Sequence, residues 1–213
     1  PEALFNFITL LGWTPEGEEE VFSQEEFIKL FDEKRLSKSP AFFDKQKLMW
    51  INNQYMKTKD SVTVFNTAVQ FLEAEGLVEK ERTAEQEDWA RRLVALYQPQ
   101  MSYAAEIVEL SEQFFKPELS YSGDAEAVLS QEHIPELLPA LRDAFTEVPA
   151  EEFTPDQVKA AIKSVQKSTG FKGKQLFMPV RAAVTGETRG PELPDAIALI
   201  GREVALERIN ARI

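Results

Sequence analysis

Apolar residues along the chain recur at intervals of three and four, which is the spacing of one face of an α-helix. Leu4, Phe7, Ile8 and Leu11 form such a stripe, and it predicts a helix that ends near Gly12. The alternation of apolar and polar residues that is typical of strands is almost absent. The pattern therefore predicts an all-α, multihelical protein with short helices and irregular connections. Further stripes predict helices that begin at or just after Ser23, Asp44, Ser61, Thr83, Thr154 and Gly201.

Local capping signals support several of these starts. Ser23 with Glu26, and Thr83 with Gln86, have the spacing of capping boxes. Thr154 is followed by a proline at the first helical position, and Gly170 ends that helix. Further helices are predicted over residues 103–115, 123–133, 135–148, 174–185 and 192–200. A Pro/Ser/Gly stretch at residues 116–123 is the best candidate for a domain boundary.

The composition excludes several kinds of catalytic and metal site. The 213 residues include no cysteine and one histidine, so the sequence offers no thiolate zinc site, no disulfide framework and no cysteine nucleophile. His133 alone cannot form a multi-histidine site, and we interpret it as a helix-terminal surface residue. No phosphate-binding glycine motif occurs, and no apolar run approaches the about 20 residues of a membrane span. We expect a soluble, cytoplasmic protein without a signal peptide.

The charge is distributed unevenly. The formal net charge is −12, made up of −6 over residues 1–103, −10 over residues 104–153 and +4 over residues 154–213. A nucleic-acid partner requires positive charge, so only the last block favours one by its composition. We expect the acidic block to face away from any RNA, and a solvated acidic face is the simple alternative reading of it.

Longer blocks resemble one family. Pro-Glu-Ala-Leu-Phe-Asn-Phe-Ile-Thr-Leu-Leu-Gly-Trp at residues 1–13 is similar to the segment after the Lys-Met-Ser-Lys-Ser loop of bacterial glutamyl-tRNA synthetases. Arg-Leu-Ser-Lys-Ser-Pro-Ala at 35–41 and Pro-Val-Arg-Ala-Ala-Val-Thr-Gly at 179–186 continue the resemblance. Further blocks at 43–55, 190–191 and 200–208 follow in the family's order, so the resemblance covers the whole chain. Residues 34–39 only look like the ATP loop; by themselves they predict a loop before Pro40, and the true ATP loop would precede Pro1.

The resemblance implies an architecture and an activity. Residues 1–57 resemble the end of the stem-contact region, and residues 58–117 and 118–213 resemble two helical anticodon-binding subdomains. The chain starts inside a recognisable helix without Met, so we expect an excised C-terminal portion that is itself inactive. The parent enzyme would use ATP, magnesium and glutamate in its catalytic domain, and this chain would need no cofactor or metal. We expect a monomer that binds tRNA(Glu) and no membrane.

The resemblance and the residue types together select candidate contacts to tRNA. For the bases these are Arg181, Pro191, Leu193 and Gln100, and Trp50 is expected near the tRNA where the stem-contact region meets the first helical subdomain. Phosphate and sugar contacts are expected from cations. The candidate cations are Lys45, Lys47, Lys57, Arg91, Arg92, Lys163, Lys167, Lys172, Lys174 and Arg202.

Several candidates have a structural alternative. Arg181 could pair with Glu187 or Asp195 instead of RNA, and Trp50 could be a packing residue. Pro191 and Leu193 could be a helix start with a core leucine. The lysines at 159, 163 and 167 share one helical face, which could be merely solvated. For the whole chain, the alternative is an acidic, all-helical protein-interaction module without RNA binding.

One departure from the family pattern concerns specificity. Gln98-Pro99-Gln100 stands where many family members have Arg-Pro-Arg. There the second arginine is linked to telling the last anticodon base of tRNA(Glu), a cytosine, from the guanine of tRNA(Gln). Glutamine presents different donors and acceptors to a base edge. The departure therefore favours a non-discriminating enzyme that also charges tRNA(Gln).

Overall fold

The structure of this chain is a computed structural model, and it describes residues 1–17, 19–116 and 118–213. Within these ranges the fold is all-α, as predicted, and the only extended pairing is an isolated antiparallel bridge between Trp13 and Leu36. The described residues contain twelve α-helices: α1 Glu2–Gly12, α2 Gln24–Leu30, α3 Lys45–Thr58, α4 Ser61–Ala74, α5 Ala84–Tyr97, α6 Glu106–Leu110, α7 Gly123–Leu129, α8 Ile134–Thr146, α9 Pro155–Thr169, α10 Lys174–Thr185, α11 Leu193–Ile200 and α12 Arg202–Asn210.

The chain forms two compact units. The N-terminal unit comprises residues 1–81 and 97–109, and the C-terminal unit comprises residues 82–96 and 110–213. The division of the sequence into segments 1–57, 58–117 and 118–213, with its assignment to a stem-contact region and two subdomains, stays a prediction.

In the N-terminal unit, α1 packs against α2 and α3. The buried Asn6 connects this packing to the loop that precedes α2. Its Nδ2 donates to the carbonyl of Glu20 at 2.9 Å, and its Oδ1 accepts from the backbone N–H of Phe22 at 3.1 Å. The Tyr55 hydroxyl of α3 donates to the Phe22 carbonyl at 2.6 Å, so α1 and α3 hold the same loop. The apolar core between these helices contains Ala3, Phe7 and Ile51.

In the C-terminal unit, one continuous apolar core joins α7 to α12. The helices α8 and α9 pack against each other, and α11 and α12 pack against them in turn. Leu137, Leu141 and Phe145 of α8 and Ile162 of α9 are almost completely buried there. Because these residues recur every three or four positions, the stripe in the sequence is the buried face of each helix.

A buried arginine connects two segments of the C-terminal unit through hydrogen bonds. Arg208 of α12 is 7% exposed, and its guanidinium donates to three backbone carbonyls. The acceptors are Val184 at 2.9 Å, Gln113 at 2.8 Å and Lys116 at 3.4 Å. Burial lowers the pKa of this guanidinium. Arg208 thus ties residues 113–116 to the end of α10.

Most predicted helix starts are confirmed, and two helices differ from the prediction. The predicted helix over 103–115 is broken into α6 and a separate 3-10 turn at Glu112–Phe114. The break lets Phe114 and Phe115 contact the Trp89 ring, with centroids 6.2 and 5.7 Å away, so tertiary packing overrides the local pattern. The helix predicted over 123–133 ends at Leu129, and His133 instead precedes α8 as its N-cap residue.

Two turns of the N-terminal unit add detail to the prediction. α4 begins at Ser61, as predicted, and its N-cap is Asp60, because the Asp60 carboxylate accepts from the Thr63 backbone N–H at 2.8 Å. The loop predicted at 34–39 overlaps a 3-10 turn at Glu33–Arg35. Its Arg35 donates to the carbonyls of Thr14 and Pro15, so this basic residue is a structural one.

Candidate nucleic-acid interface

A cation and an aromatic ring lie together on α3. The Lys47 ammonium is 4.7 Å from the centroid of the Trp50 ring, which is possible because the two residues are one helical turn apart. Trp50 is 44% exposed, so much of the ring is open to solvent. A flat ring beside a cation suits a nucleotide, since the base can stack and the phosphate is attracted.

Lys47 already has an acidic partner within the chain. Its ammonium forms an ion pair with the carboxylate of Glu20, which the Asn6 contact holds in place through the Glu20 carbonyl. Any phosphate that approaches Lys47 therefore competes with this carboxylate. The sequence showed both residues, but nothing in it indicated that they meet.

The turn at residues 98–101 presents Gln100 to solvent. Gln100 and Pro99 are exposed, whereas Gln98 is 9% exposed and Met101 is fully buried. The backbone N–H groups of Gln100 and Met101 both donate to the Tyr97 carbonyl, at 2.8 and 3.1 Å. The two glutamines of the motif therefore face different environments, and only Gln100 can reach a base.

Gln98 belongs to the turn selected from the sequence for base contacts, but it is buried, and half-buried Asn53 was not selected at all. The Nε2 of Gln98 donates to the carbonyls of Met56 and Lys59 at the end of α3. The Nδ2 of Asn53 donates from α3 to the carbonyls of Pro99 and Met101. An asparagine inside a helix, where its intrinsic propensity is low, is the only local signal that could have indicated it.

The other predicted cations of the N-terminal unit and of α5 differ in their partners. Lys45 and Lys57 are exposed at the two ends of α3. Arg92 is exposed on α5, and its neighbour Arg91 forms an ion pair with Glu87 at 2.6 Å. Glu87 also accepts from Arg82, which precedes α5, at 2.8 Å, so one carboxylate of α5 pairs with two cations.

In the C-terminal unit, Arg181 and the 190–191 turn are brought together. The Arg181 Nη2 donates to the carbonyl of Pro191 at 2.8 Å. A Cβ on Gly190 would lie 2.8 Å from Arg181 Nη1, so glycine permits this close approach. Arg181 is only partly buried. It therefore shapes the turn and still has surface to offer a ligand.

Leu193 and Pro191 are buried, and Leu193 is 5% exposed within the apolar core of the C-terminal unit. Leu193 is the first residue of α11. This placement favours the alternative of a helix start with a core leucine, and a direct contact of either side chain with a base stays a prediction.

A row of exposed lysines follows α9 and the loop after it. Lys159, Lys163 and Lys167 are four residues apart on α9 and are exposed on one face of the helix. Lys172, between α9 and α10, and Lys174, the first residue of α10, are also exposed. These cations are available to a polyanion.

Arg202, in contrast, is engaged inside the C-terminal unit. Its Nε donates to the Phe145 carbonyl at 3.2 Å and its Nη2 donates to the Thr146 carbonyl at 2.8 Å. These carbonyls end α8, so Arg202 caps that helix. A phosphate contact by Arg202 would compete with this capping role.

The described residues offer no candidate for a metal site of clustered ligands or for a membrane span. No group of three or more His, Cys, Asp or Glu residues in these ranges is placed to hold a metal ion. No helix described by the structure is long and apolar enough to cross a membrane.

Comparison with known proteins decides the family. Residues 55–213 match the model of the family described as anticodon binding domain. The chain belongs to this family. In front of the anticodon-binding domain, residues 1–50 match the model described as tRNA synthetases class I (E and Q), catalytic domain.

Curated relatives and solved structures carry related names. The chain is 58% identical over 210 residues to the glutamate–tRNA ligase of Lysinibacillus sphaericus and 55% identical over 210 residues to that of Bacillus subtilis. Each match covers 99% of this chain and 43% of the relative. The structure of a glutamate–tRNA ligase from Elizabethkingia meningosepticum matches all of this chain and 40% of its own, with a TM-score of 0.77 at 27% identity.

These matches confirm the resemblance that the sequence motifs indicated, to the anticodon-binding region of glutamyl-tRNA synthetases. The chain that contains this anticodon-binding domain spans less than half the length of the curated relatives.

Proposed function

We propose that this chain recognises the anticodon arm of tRNA(Glu) as a module of a glutamate–tRNA ligase. The observation that carries the proposal is the match of residues 55–213 to the anticodon-binding domain family, within a 210-residue match to glutamate–tRNA ligases. The exposed lysines of α9 and the Lys47–Trp50 pair supply the two kinds of group that RNA recognition needs, cations for phosphate and flat surfaces for bases.

The whole protein would be a class I, ATP-dependent ligase. Its catalytic domain would bind ATP, magnesium and glutamate, activate glutamate with ATP and transfer it to the terminal adenosine of tRNA(Glu). The residues of this chain would not take part in the chemistry. They would hold the anticodon arm through Lys47, Trp50, Lys57, Arg91, Arg92, Gln100, Lys163, Arg181, Pro191 and Leu193. We further propose that the ligase is monomeric and cytoplasmic.

Binding to hairpin RNA tests the proposal. The chain should bind a hairpin with the anticodon arm of tRNA(Glu) more tightly than an unrelated hairpin of equal length, and binding should weaken as salt rises. Arg181→Ala should weaken binding about tenfold, since it removes a cation and frees the turn at Pro191. Arg142→Ala is the matched control, because Arg142 pairs with Asp143 on the acidic helix α8.

Equal affinity for both hairpins, or loss of affinity in Arg142→Ala as large as in Arg181→Ala, would contradict the proposal. Indifference to both RNAs would favour the acidic protein-interaction module instead.

We also propose that the ligase accepts tRNA(Gln). The exposed position of Gln100 supports a reading of the last anticodon base by a neutral amide, which can both donate and accept hydrogen bonds. Hairpins that end the anticodon in cytosine or in guanine should bind this chain with similar affinity. Gln100→Arg should introduce a preference for cytosine of about tenfold. A strong preference in the unmodified chain would refute the proposal.

A further inference from the structure

Two side-chain amides connect the turn at 98–101 to α3, one donating from α3 to the turn and one from the turn to α3. Asn53 Nδ2, on α3, donates to the Pro99 carbonyl at 3.0 Å and to the Met101 carbonyl at 2.9 Å. Gln98 Nε2, on the turn, donates to the Met56 carbonyl at 3.0 Å and to the Lys59 carbonyl at 2.8 Å. Each NH₂ group has two hydrogens, and both are used.

The four acceptors explain why amides stand at these positions. All are backbone carbonyls. That of Lys59 lies at the C-cap of α3, where a helix leaves carbonyls to be satisfied from outside, and that of Met56 lies in the last turn and also accepts a 3.4 Å bond from the Lys59 N–H. A carboxylate at either position would repel the carbonyls, and an apolar side chain would leave them without the donor.

The Gln100 side chain is exposed, although the backbone on both sides of it is held by hydrogen bonds. Tyr97 and Met101 on either side of it are fully buried, and Gln98 and Asn53 bind the backbone that flanks it. Its own side chain makes no hydrogen bond within the described residues. The exposed amide thus stands on a turn whose backbone is fixed at the carbonyl immediately before it and the carbonyl immediately after it.

From these contacts we infer that Asn53 and Gln98 are positioning residues that set the orientation of Gln100 toward the last anticodon base. The inference rests on the proposed function, because it needs Gln100 to meet that base. A contact to a base edge depends on placement within a few tenths of an ångström, whereas a contact to phosphate tolerates movement. Loosening the turn should therefore reduce base preference more than total affinity.

The test uses the cytosine preference introduced by Gln100→Arg as the readout. Gln98→Met and Asn53→Leu keep a side chain of similar length and remove the donors. In the Gln100→Arg background, each should reduce the preference for the cytosine hairpin over the guanine hairpin from about tenfold to about twofold or less. Asn52→Leu is the matched control, since it removes an amide from the adjacent position of α3, and it should leave the preference unchanged.

Hydrogen exchange gives a measurement that does not involve RNA. The backbone amides of Gln100 and Met101, which donate to Tyr97, should exchange at least tenfold faster in Gln98→Met and Asn53→Leu than in Asn52→Leu. In the binding test, by contrast, if Asn53 and Gln98 only stabilised the fold, their replacement would weaken binding of the cytosine and guanine hairpins equally, and the ratio of the two affinities would not change.

The outcomes separate this inference from the proposed function. If the unmodified chain does not bind the hairpin, or Gln100→Arg introduces no preference, the proposed reading by Gln100 fails and the inference fails with it. If the preference appears and persists in both Gln98→Met and Asn53→Leu, the inference alone is overturned, and the proposed function stands.

Discussion

At the scale of single residues, cations that could meet RNA are partly occupied by carboxylates of the same chain. Glu20 holds Lys47 beside the Trp50 ring, and Glu87 holds Arg91 on α5. Such exposed pairs contribute little to stability. Their effect on binding is more direct, because a phosphate must displace the carboxylate before it gains the cation.

Removing the Glu20 charge should therefore strengthen RNA binding. We expect Glu20→Gln to raise affinity for the anticodon-arm hairpin by about threefold at low salt, measured by filter binding. Glu19→Gln removes the same charge from the adjacent exposed residue and serves as the control. An equal gain in both variants would mean that only net charge matters, and that the Glu20–Lys47 pair does not compete with phosphate.

The approach of Arg181 to Gly190 gives a second prediction at this scale. A Cβ on Gly190 would lie 2.8 Å from Arg181 Nη1, so in Gly190→Ala the guanidinium, which binds the Pro191 carbonyl through Nη2, must move. We expect a loss of affinity for the hairpin comparable to that of Arg181→Ala, about tenfold, by the same assay.

Gly17→Ala is the matched control for Gly190→Ala. Gly17 has a similar φ, +150° against +156°, but among the described residues no atom outside its chain neighbours lies within 4 Å of its Cβ position. Both variants therefore carry backbone strain, and only one has the steric contact. If they weaken binding equally, the Arg181–Pro191 contact has no role in recognition.

At the scale of elements, local capping chemistry explains where several helices begin. Ser23 and Glu26 exchange the two hydrogen bonds of a capping box, as do Thr83 and Gln86. Thr154 accepts from Gln157 at the start of α9, which has a proline in its first turn. These contacts lie within three residues, so the sequence pattern could predict them.

What the sequence could not predict depends on distant residues. The Lys47–Glu20 pair is separated by 27 positions and the Gln98–Met56 bond by 42. The break in the predicted helix 103–115 depends on Trp89, which no short window includes. Local periodicity was enough to predict the fold class and most helices. For the candidate site, the sequence could suggest residue types that suit RNA, but it could not predict which of them are buried or paired, because tertiary packing decides both.

Through Glu87, the stability of α5 should depend on pH. The side-chain hydrogen bond from Arg82, followed by that from Arg91, lowers the pKa of the Glu87 carboxyl below its ordinary value. Since the folded pKa lies below the unfolded one, the stabilisation is present above the unfolded pKa and disappears as pH falls through the folded pKa.

We therefore expect Glu87→Gln to lower the free energy of unfolding at about pH 7 and to have a much smaller effect at a second pH below the folded pKa of Glu87, where the carboxyl is protonated. Urea unfolding at both pH values measures this. Glu85→Gln, at an exposed position in the same turn, should show no comparable change. A loss for Glu87→Gln that is equally large at both pH values would exclude the ion pairs as its cause.

At the scale of the whole chain, the net charge of −12 conceals an excess of four positive charges over residues 154–213. The structure places three of these cations, Lys159, Lys163 and Lys167, on the exposed face of α9. An acidic protein can therefore present a basic surface. The salt dependence of its RNA binding should reflect that surface instead of its total charge.

Replacing the three lysines by glutamine should flatten the salt dependence of hairpin binding. If each meets a phosphate, the slope of log affinity against log salt should fall by roughly 0.7–0.9 per lysine, measured between about 50 and 200 mM salt. Lys29, Lys34 and Lys38 are exposed elsewhere, and their replacement changes the net charge equally. An equal change of slope in both triple variants would indicate a non-specific effect of charge.

The contacts of Arg208 have a consequence for the time order of folding during synthesis. Arg208 lies 95 and 92 residues beyond Gln113 and Lys116, whose carbonyls it binds. Because a ribosome makes the chain from the N-terminus, residues 113–116 emerge long before the guanidinium that holds them. The hydrogen bonds of Arg208 to residues 113–116 can therefore form only after α12 has been made, whereas the ring contacts of Phe114 and Phe115 with Trp89 involve no later residue.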